Sequence, residues 1–270
     1  MSLVMWQTFC KILTMKKTIS LLLSFIYISV FAQLDNISHN ETLVYRIHYG
    51  ILNAGRATLT TKLLDYKGQP HLYVRGYGET TGAVKAFFKV EDVYESFINK
   101  KTGLPSFYVR NVKEGNYRQH LETVFNHDNH TLVLTDKKTP ANGSKVINSV
   151  KGVQDMLSCF YYLRSRTTEE LKIGNTIKMN VWIDDEMFPF QVRIAGKEMV
   201  KTKYGKIECL KIIPRVMSGR VFKDKEGVTL WVTNDKNHIP VAIKAELAVG
   251  SLKASLEDYK NVHYPLNFTK

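Results

Sequence analysis

Val153-Gln-Asp-Met-Leu-Ser-Cys-Phe-Tyr-Tyr-Leu-Arg-Ser-Arg166 is the stretch on which the fold turns. Apolar residues fall at 153, 156, 157, 160 and 163, the spacing of one helical face, so the pattern predicts a helix over 153–166. Val153, Met156, Leu157 and Phe160 form one stripe, with Tyr161 and Leu163 at its margins and Cys159 at its edge. Asp155 falls in the first turn and Arg164 and Arg166 in the last, the sense that suits the helix dipole. Asp155, Ser158 and Tyr162 are expected to face away. Arg164 projects near the centre of the stripe. It must snorkel past the helix end, meet a buried carboxylate, or face a ligand head group.

Outward from this stretch the chain reads as strand after strand. Leu43, Tyr45, Ile47 and Tyr49 alternate with Val44, Arg46 and His48, the period of a strand with one aromatic-rich face. Strands are expected at 42–50, 56–64, 71–78, 90–99, 106–113, 117–125 and 131–136. Beyond the helix they are expected at 176–183, 188–194, 198–203, 206–216, 227–233, 239–247 and 251–259. Turn signals separate them, among them Asn53-Ala54-Gly55, Gly68-Gln69-Pro70, Lys101-Thr102-Gly103-Leu104-Pro105 and Tyr204-Gly205. The apolar run 81–88 lacks alternation and reads as a short helical turn plugging an end of the sheet. Lys137–Lys145, with Pro140 and Asn142-Gly143, reads as a loop. The expectation is a mainly β fold: a large curved antiparallel sheet, an open barrel or half-barrel, covered by one main amphipathic helix. No linker divides residues 33–270, which read as a single domain.

The first residues carry an address. Lys16-Lys17 precedes the mostly apolar run Thr18–Phe31, which ends in Val30-Phe31-Ala32, with short residues three and one before a cut. These are the charged, apolar and cleavage regions of a secretory signal peptide over 15–32. The run is shorter than the roughly 20 apolar residues a transmembrane helix needs, so no membrane span is expected after cleavage. Met15 then reads as the true start and residues 1–14 as an over-extended one. Export to the periplasm is expected, with the cell surface or the extracellular space as alternatives.

The formal charge is +13. Lys and Arg are scattered along strands rather than clustered with exposed aromatics, which excludes the footprint of a nucleic-acid binder. In an exported protein such charge serves solubility or an anionic partner such as a lipid head group or cell-wall polymer. Cys159 and Cys209 are the cysteines that follow the leader. An oxidising compartment permits a bridge between them, and two small buried hydrophobes are the alternative.

Asp155-Met-Leu-Ser-Cys-Phe-Tyr-Tyr-Leu-Arg164 resembles the signature of the bacterial exported-protein family named domain of unknown function 3108. Tyr45–Gly55, Leu230–Asp235 and Ile239-Pro240-Val241 resemble its other recurrent blocks, so the likeness covers nearly all of the chain after the leader. Val-Phe-Ala-Gln at 30–33 is similar to exported proteins of Bacteroidetes-type bacteria. The resemblance implies export, a β-rich fold and no catalytic residues to carry over. A looser similarity of architecture is to periplasmic lipoprotein carriers, open β half-barrels with helical plugs.

No motif for catalysis, a metal or a cofactor emerges. His120, His127 and His130 lie beside Glu122 and Asp128 but span a strand and a turn without evident convergence. Asp184-Asp185-Glu186 lacks the spaced oxygens of a calcium loop. Ser158 and Cys159 have no nucleophile signature around them, and no Gly-rich phosphate loop is present. Shape remains: an aromatic-lined sheet under a helix, with Arg164, Phe160, Tyr161, Trp182 and Trp231 as candidate ligand-binding residues. One reading is an exported protein that binds or carries a lipid-like ligand between sheet and helix. The other is a structural or interaction module of the envelope with a filled core, and an envelope hydrolase comes third. The oligomeric state is not legible.

Overall fold

A computed structural model describes residues 34–216 and 227–270. The segments read as an over-extended start and a signal peptide lie outside the described residues. The first half of the chain is a meander of β1 (Thr42–Tyr49), β2 (Leu52–Tyr66), β3 (Gln69–Thr80), β4 (Glu91–Asn99), β5 (Pro105–Glu114), β6 (Tyr117–Asn126), β7 (Thr131–Asp136) and β8 (Ser144–Asn148). A short helix α1 (Gly82–Phe87) joins β3 to β4. Then come β9 (Gln154–Asp155) and the helix α2 (Ser158–Arg164). The chain closes with β10 (Thr176–Ile183), β11 (Glu186–Thr202), β12 (Gly205–Val216), β13 (Val228–Thr233), β14 (Pro240–Glu246) and β15 (Ser251–Lys260).

All fifteen strands belong to one sheet, in the order β8 back to β1, then β15 back to β9. β15 returns to pair with β1, so every consecutive pair of strands is hydrogen-bonded except β8 and β9. Those two are the sheet's edges, and the sheet is not closed into a barrel. Every pairing is antiparallel except that of β9 with β10. Side chains, not backbone, fill the gap between the edges. Trp182 on β10 packs with Leu121, Phe125, Leu132 and Val153, and its indole N–H donates to Thr123 Oγ1 on β6 (3.2 Å). Arg110 on β5 reaches Asp184 at the β10–β11 turn, 3.0 Å away.

The expected open, curved antiparallel sheet is therefore present. The expected strands 188–194 and 198–203 differ in detail: one strand, β11, runs through both up to Thr202, because the register slips at Ile194/Gly196 and the chain runs through the bulge instead of turning. β8 arises within the stretch before the helix that showed no strand pattern. α1 forms where a helical turn was expected, but none of its residues is buried, so it does not plug the interior.

α2 is half the expected length. Asp155 takes up the backbone instead: its Oδ1 accepts from the amides of Leu157 (2.8 Å) and Ser158 (2.7 Å), while Ser158 Oγ accepts from the amide of Asp155 (2.7 Å). This local side-chain capture starts the helix at Ser158 and leaves Gln154-Asp155 free to pair with β10. Asp155 and Ser158, expected to face away, are buried, while Phe160 is only half-buried. The segment feeds three core clusters: Val153 joins Trp182, Leu157 and Tyr161 join Leu34, Ile37, Leu72 and Val74, and Leu163 joins the cluster of β10–β13. Fully burying four such side chains stabilises by roughly 6–12 kcal/mol before entropy. Gly76 makes room: a Cβ there would stand 3.4 Å from Leu157 Cδ2.

The outer face of the sheet has its own cover. Ile207, Cys209 and Val241 pack with Trp231, Leu266 and Phe268 of the C-terminal tail. The amides of Lys206 and Thr269 exchange hydrogen bonds with each other's carbonyls (2.7 and 2.8 Å). Gly205 admits this tail: its φ is +128°, and a Cβ there would stand 2.5 Å from Thr269 O. Gly205→Ala is expected to destabilise the fold by about 1–3 kcal/mol, read as a lower midpoint in urea, with the tail's protection from carboxypeptidase lost first.

Candidate functional site

α2 is tied down by buried polar groups at both ends. At its start, Asp155 Oδ2 accepts from Ser96 Oγ on β4 (2.6 Å), which fixes the helix to the first half of the sheet. Burial pushes the Asp155 carboxyl up to about 6, outweighing the hydrogen bonds from Ser158, Ser96 and Leu157 that pull it down. At the other end, Arg164 is 2% exposed and Glu41 1% exposed. Their contact is bidentate, Nη1 to Oε1 at 2.6 Å and Nη2 to Oε2 at 2.8 Å. Arg164 Nε donates to Asn237 O (3.1 Å). Burial alone would lower the guanidinium's pKa, but the Glu41 charge and hydrogen bonds raise it above its usual value.

The Arg164 carbonyl is equally engaged, accepting from Asn36 Nδ2 (2.7 Å) and His238 Nδ1 (2.9 Å). A carbonyl can only accept, so His238 carries its proton on Nδ1. Burial lowers the His238 pKa, which keeps the ring neutral. The loop that presents Asn237 and His238 is organised by Asp235. Its Oδ1 accepts from Thr233 Oγ1 (2.7 Å) and from the amides of Asn237 (2.8 Å) and His238 (3.2 Å). Glu41 is held in turn by Thr61, whose Oγ1 accepts from the Glu41 amide (2.9 Å). Tyr45 donates to Pro240 O (3.0 Å) nearby. Three stretches far apart in sequence therefore converge on Arg164: the start of β1, α2 and the β13–β14 loop.

Of the sequence-level candidates, Arg164, Tyr161 and Trp182 are buried and engaged as described. Trp231 lies on the opposite face, its indole N–H donating to Glu198 Oε2 (2.7 Å). Phe160 borders free volume. Beside it is an apolar cavity of about 130 Å³, lined by Cys159, Phe160 and Leu163 of α2 and by Met179, Phe190, Leu230 and Ile243 of the sheet, among others. The lining residues outside α2 were not legible in the sequence, because what marks them is a failure of side chains to fill space. A more open polar cleft of about 380 Å³ lies between β6–β8 and the β10–β11 turn, bordered by Gln119, Asp136, Lys145, Asp184 and Asp185.

Cys159 and Cys209 are both free thiols. Cys209 belongs to the outer-face cluster while its neighbour Leu210 joins the inner one beside Cys159, so the sheet separates the two sulfurs. Burial pushes both thiols up. His120 and His127 sit near opposite ends of β6. His120 lies 3.8 Å from Glu122, and His127 Nε2 donates to Pro105 O (2.7 Å). Among the described residues no three His, Cys, Asp or Glu side chains gather to hold a metal ion. One serine–histidine contact was missed by the sequence reading. Ser106 Oγ lies 2.8 Å from His71 Nε2, and His71 Nδ1 donates to Gln69 O (2.9 Å). A backbone carbonyl stands where a hydrolytic triad has a carboxylate, and Tyr66 packs edge-on against the buried ring.

The sheet order, the curled edges and the pinned helix define an open, barrel-like β protein. The chain belongs to the family described as Protein of unknown function (DUF3108), whose model matches residues 44–257. Among solved structures it is similar to a beta-barrel-like protein of domain of unknown function DUF1849 from Brucella abortus. That likeness has 9% identity, a TM-score of 0.56 and coverage of 83% of this chain and 98% of that one, and it concerns the fold alone. A DUF1089 family protein from Pseudomonas aeruginosa aligns at 8% identity over 73% of this chain and 87% of its own, with a TM-score of 0.31. No curated protein matches the chain.

Two outcomes follow from the pinned helix. Glu41→Gln and Arg164→Met should each cost about 3–5 kcal/mol in urea denaturation, because each strands a buried partner, whereas the Glu41→Leu/Arg164→Met pair should cost far less than the sum. Asp155 holds its proton more tightly folded than unfolded, since its pKa rises from 3.8 to about 6. Its contribution is therefore present below about pH 4 and lost as pH rises through 6. Relative to Asp155→Asn, the wild type should lose up to about 3 kcal/mol between pH 4 and pH 7, read by urea midpoints at each pH.

Proposed function

We propose that the protein is an exported envelope component that holds an apolar group, such as part of a lipid chain, between α2 and strands β10–β14. The observation that carries this reading is the pocket beside Phe160, which is partly open and lined almost wholly by hydrocarbon. A dry apolar cavity of similar size, roughly 150 Å³, suffices to bind benzene. The cavity as it stands therefore matches one ring or a few methylenes, and a longer chain would extend beyond it. Phe160 contributes an aromatic wall. Arg164 does not supply a head-group contact in this reading, because Glu41 and Asn237 already take up its guanidinium donors. The leader-like pattern at 15–32 supports export, and the resemblance to half-barrel carriers supports the ligand class by analogy only.

The second reading, a structural envelope module, draws on the rest of the interior, where Trp182, Tyr161 and Arg164 are among the largest fully buried side chains. Binding of 4-fluorotoluene, a single-ring probe, separates the two. Under the first reading its fluorine NMR line shifts or broadens on mixing, and Ile243→Phe with Val228→Phe, both at lining positions, weaken its binding about tenfold or more while the thermal midpoint stays within a few degrees. A probe that does not bind, or that binds equally to the filled variant, would sink the first reading in favour of the second.

A further inference from the structure

The two ends of the sheet differ in chemistry. The Arg164 clasp lies at one end, with the β13–β14 loop and the start of β1. The β1–β2 and β14–β15 turns share the other end, because Tyr49 pairs with both Leu52 and Leu252. α1 follows β3 there, since Thr80 stands opposite Gly55 near the start of β2. These three connections present large apolar side chains to solvent: Ile51 is 98% exposed, Phe87 90% and Val249 76%, with Leu52, Phe88 and Leu247 beside them in sequence. They are protruding tips from separate parts of the chain rather than scattered single residues, the pattern that marks an interaction site.

Residues 49–53 and 247–252 contain no Asp, Glu, Lys or Arg. Charges of both signs flank them: Glu246 before the second tip is taken up by Lys244 and Glu91 after α1 by Lys89, while Lys85 on α1 and Lys253 after the second tip stand outside those ion pairs. Apolar tips inserted a few ångströms, with lysines at head-group depth, match the layered chemistry of an anionic bilayer surface. We infer that this end of the sheet docks on an anionic lipid bilayer through the β1–β2 tip, the β14–β15 tip and α1. The inference does not rest on the cavity, so probe binding and membrane docking can fail separately.

The test is vesicle flotation. The protein is expressed from the full 270-residue sequence, purified in the form the cell retains, and mixed with vesicles of phosphatidylethanolamine and phosphatidylglycerol. The wild type should float with the vesicles. Ile51→Asp/Val249→Asp and Phe87→Asp should each reduce the partition coefficient at least about tenfold. Met199→Asp, at an exposed apolar site on β11 towards the other end, should leave it unchanged. Phosphatidylcholine vesicles or high salt should weaken binding. As a measurement that does not depend on a loss, Ile51→Trp should be quenched by brominated acyl chains more strongly than the wild type. The inference is overturned if the wild type does not float, if the tip variants float as well as the wild type, or if Ile51→Asp dissolves a lipid-free dimer, which would make a second copy the occupant.

Discussion

The Arg164–Glu41 pair is the constraint around which the interior is arranged. Two charges removed from water cost several kcal/mol each unless geometry and further hydrogen bonds compensate. Here the compensation is nearly complete, with a bidentate contact, Asn237 O on Nε, and the Tyr161 ring 5.2 Å from the guanidinium carbon. Such a pair is weak evidence for extra stability over an apolar replacement. What it supplies is position: the segment before β1, α2 and the β13–β14 loop meet in one geometry, because any other leaves a buried charge unpaired. The blocks that carry the resemblance to the family overlap this arrangement in part: Asp155–Arg164 supplies the arginine, and Leu230–Asp235 and Ile239–Val241 flank the β13–β14 loop, whereas Glu41 lies outside them. In this chain the signature stretch supplies Arg164 to the clasp and Asp155 to the bond with Ser96.

The open seam follows from the same arrangement. A meander whose first and last strands pair would close completely if its middle strands, β8 and β9, also paired. β9 pairs with β10 instead, Asp155 is bonded to Ser96, and the chain enters α2 at Ser158. Exposed edges are a hazard that proteins cover or keep short. β9 has two residues and β8 five, and Trp182, Val153 and Met156 fill the space between their neighbours. Interrupting the barrel is what admits a helix to its interior.

Much of the sheet was legible because strands and turns write themselves locally. Gly68, Gly103 and Gly205 each adopt the positive φ that their turn positions demand. What was not legible depended on long-range or shape information. Glu41 stands 123 residues from Arg164, so the carboxylate partner was foreseen as a type and not as a residue. Val153 and Met156 match a helical stripe, but the capture of the backbone by Asp155 and Ser158 competes with that periodicity and shortens the helix. The bulge at Ile194/Gly196, which carries β11 through the break between the two expected strands, has no signal in the alternation of the residues around it. The cavity depends on how seven or more side chains fail to meet, which no spacing rule records.

The persistence of that cavity has a physical cause in the pinned helix. An apolar void normally shrinks as neighbouring elements relax into it, and the residual cost grows with the volume that cannot be closed. α2 cannot slide onto β11–β14, because Asp155 binds its start to β4 and Arg164 binds its end to Glu41 and the β13–β14 loop. Moving the helix towards Phe190 and Ile243 would break charge-assisted hydrogen bonds at both ends to gain dispersion contacts worth only about 0.1–0.2 kcal/mol each. Two buried polar anchors thus hold open a space that hydrocarbon alone would collapse.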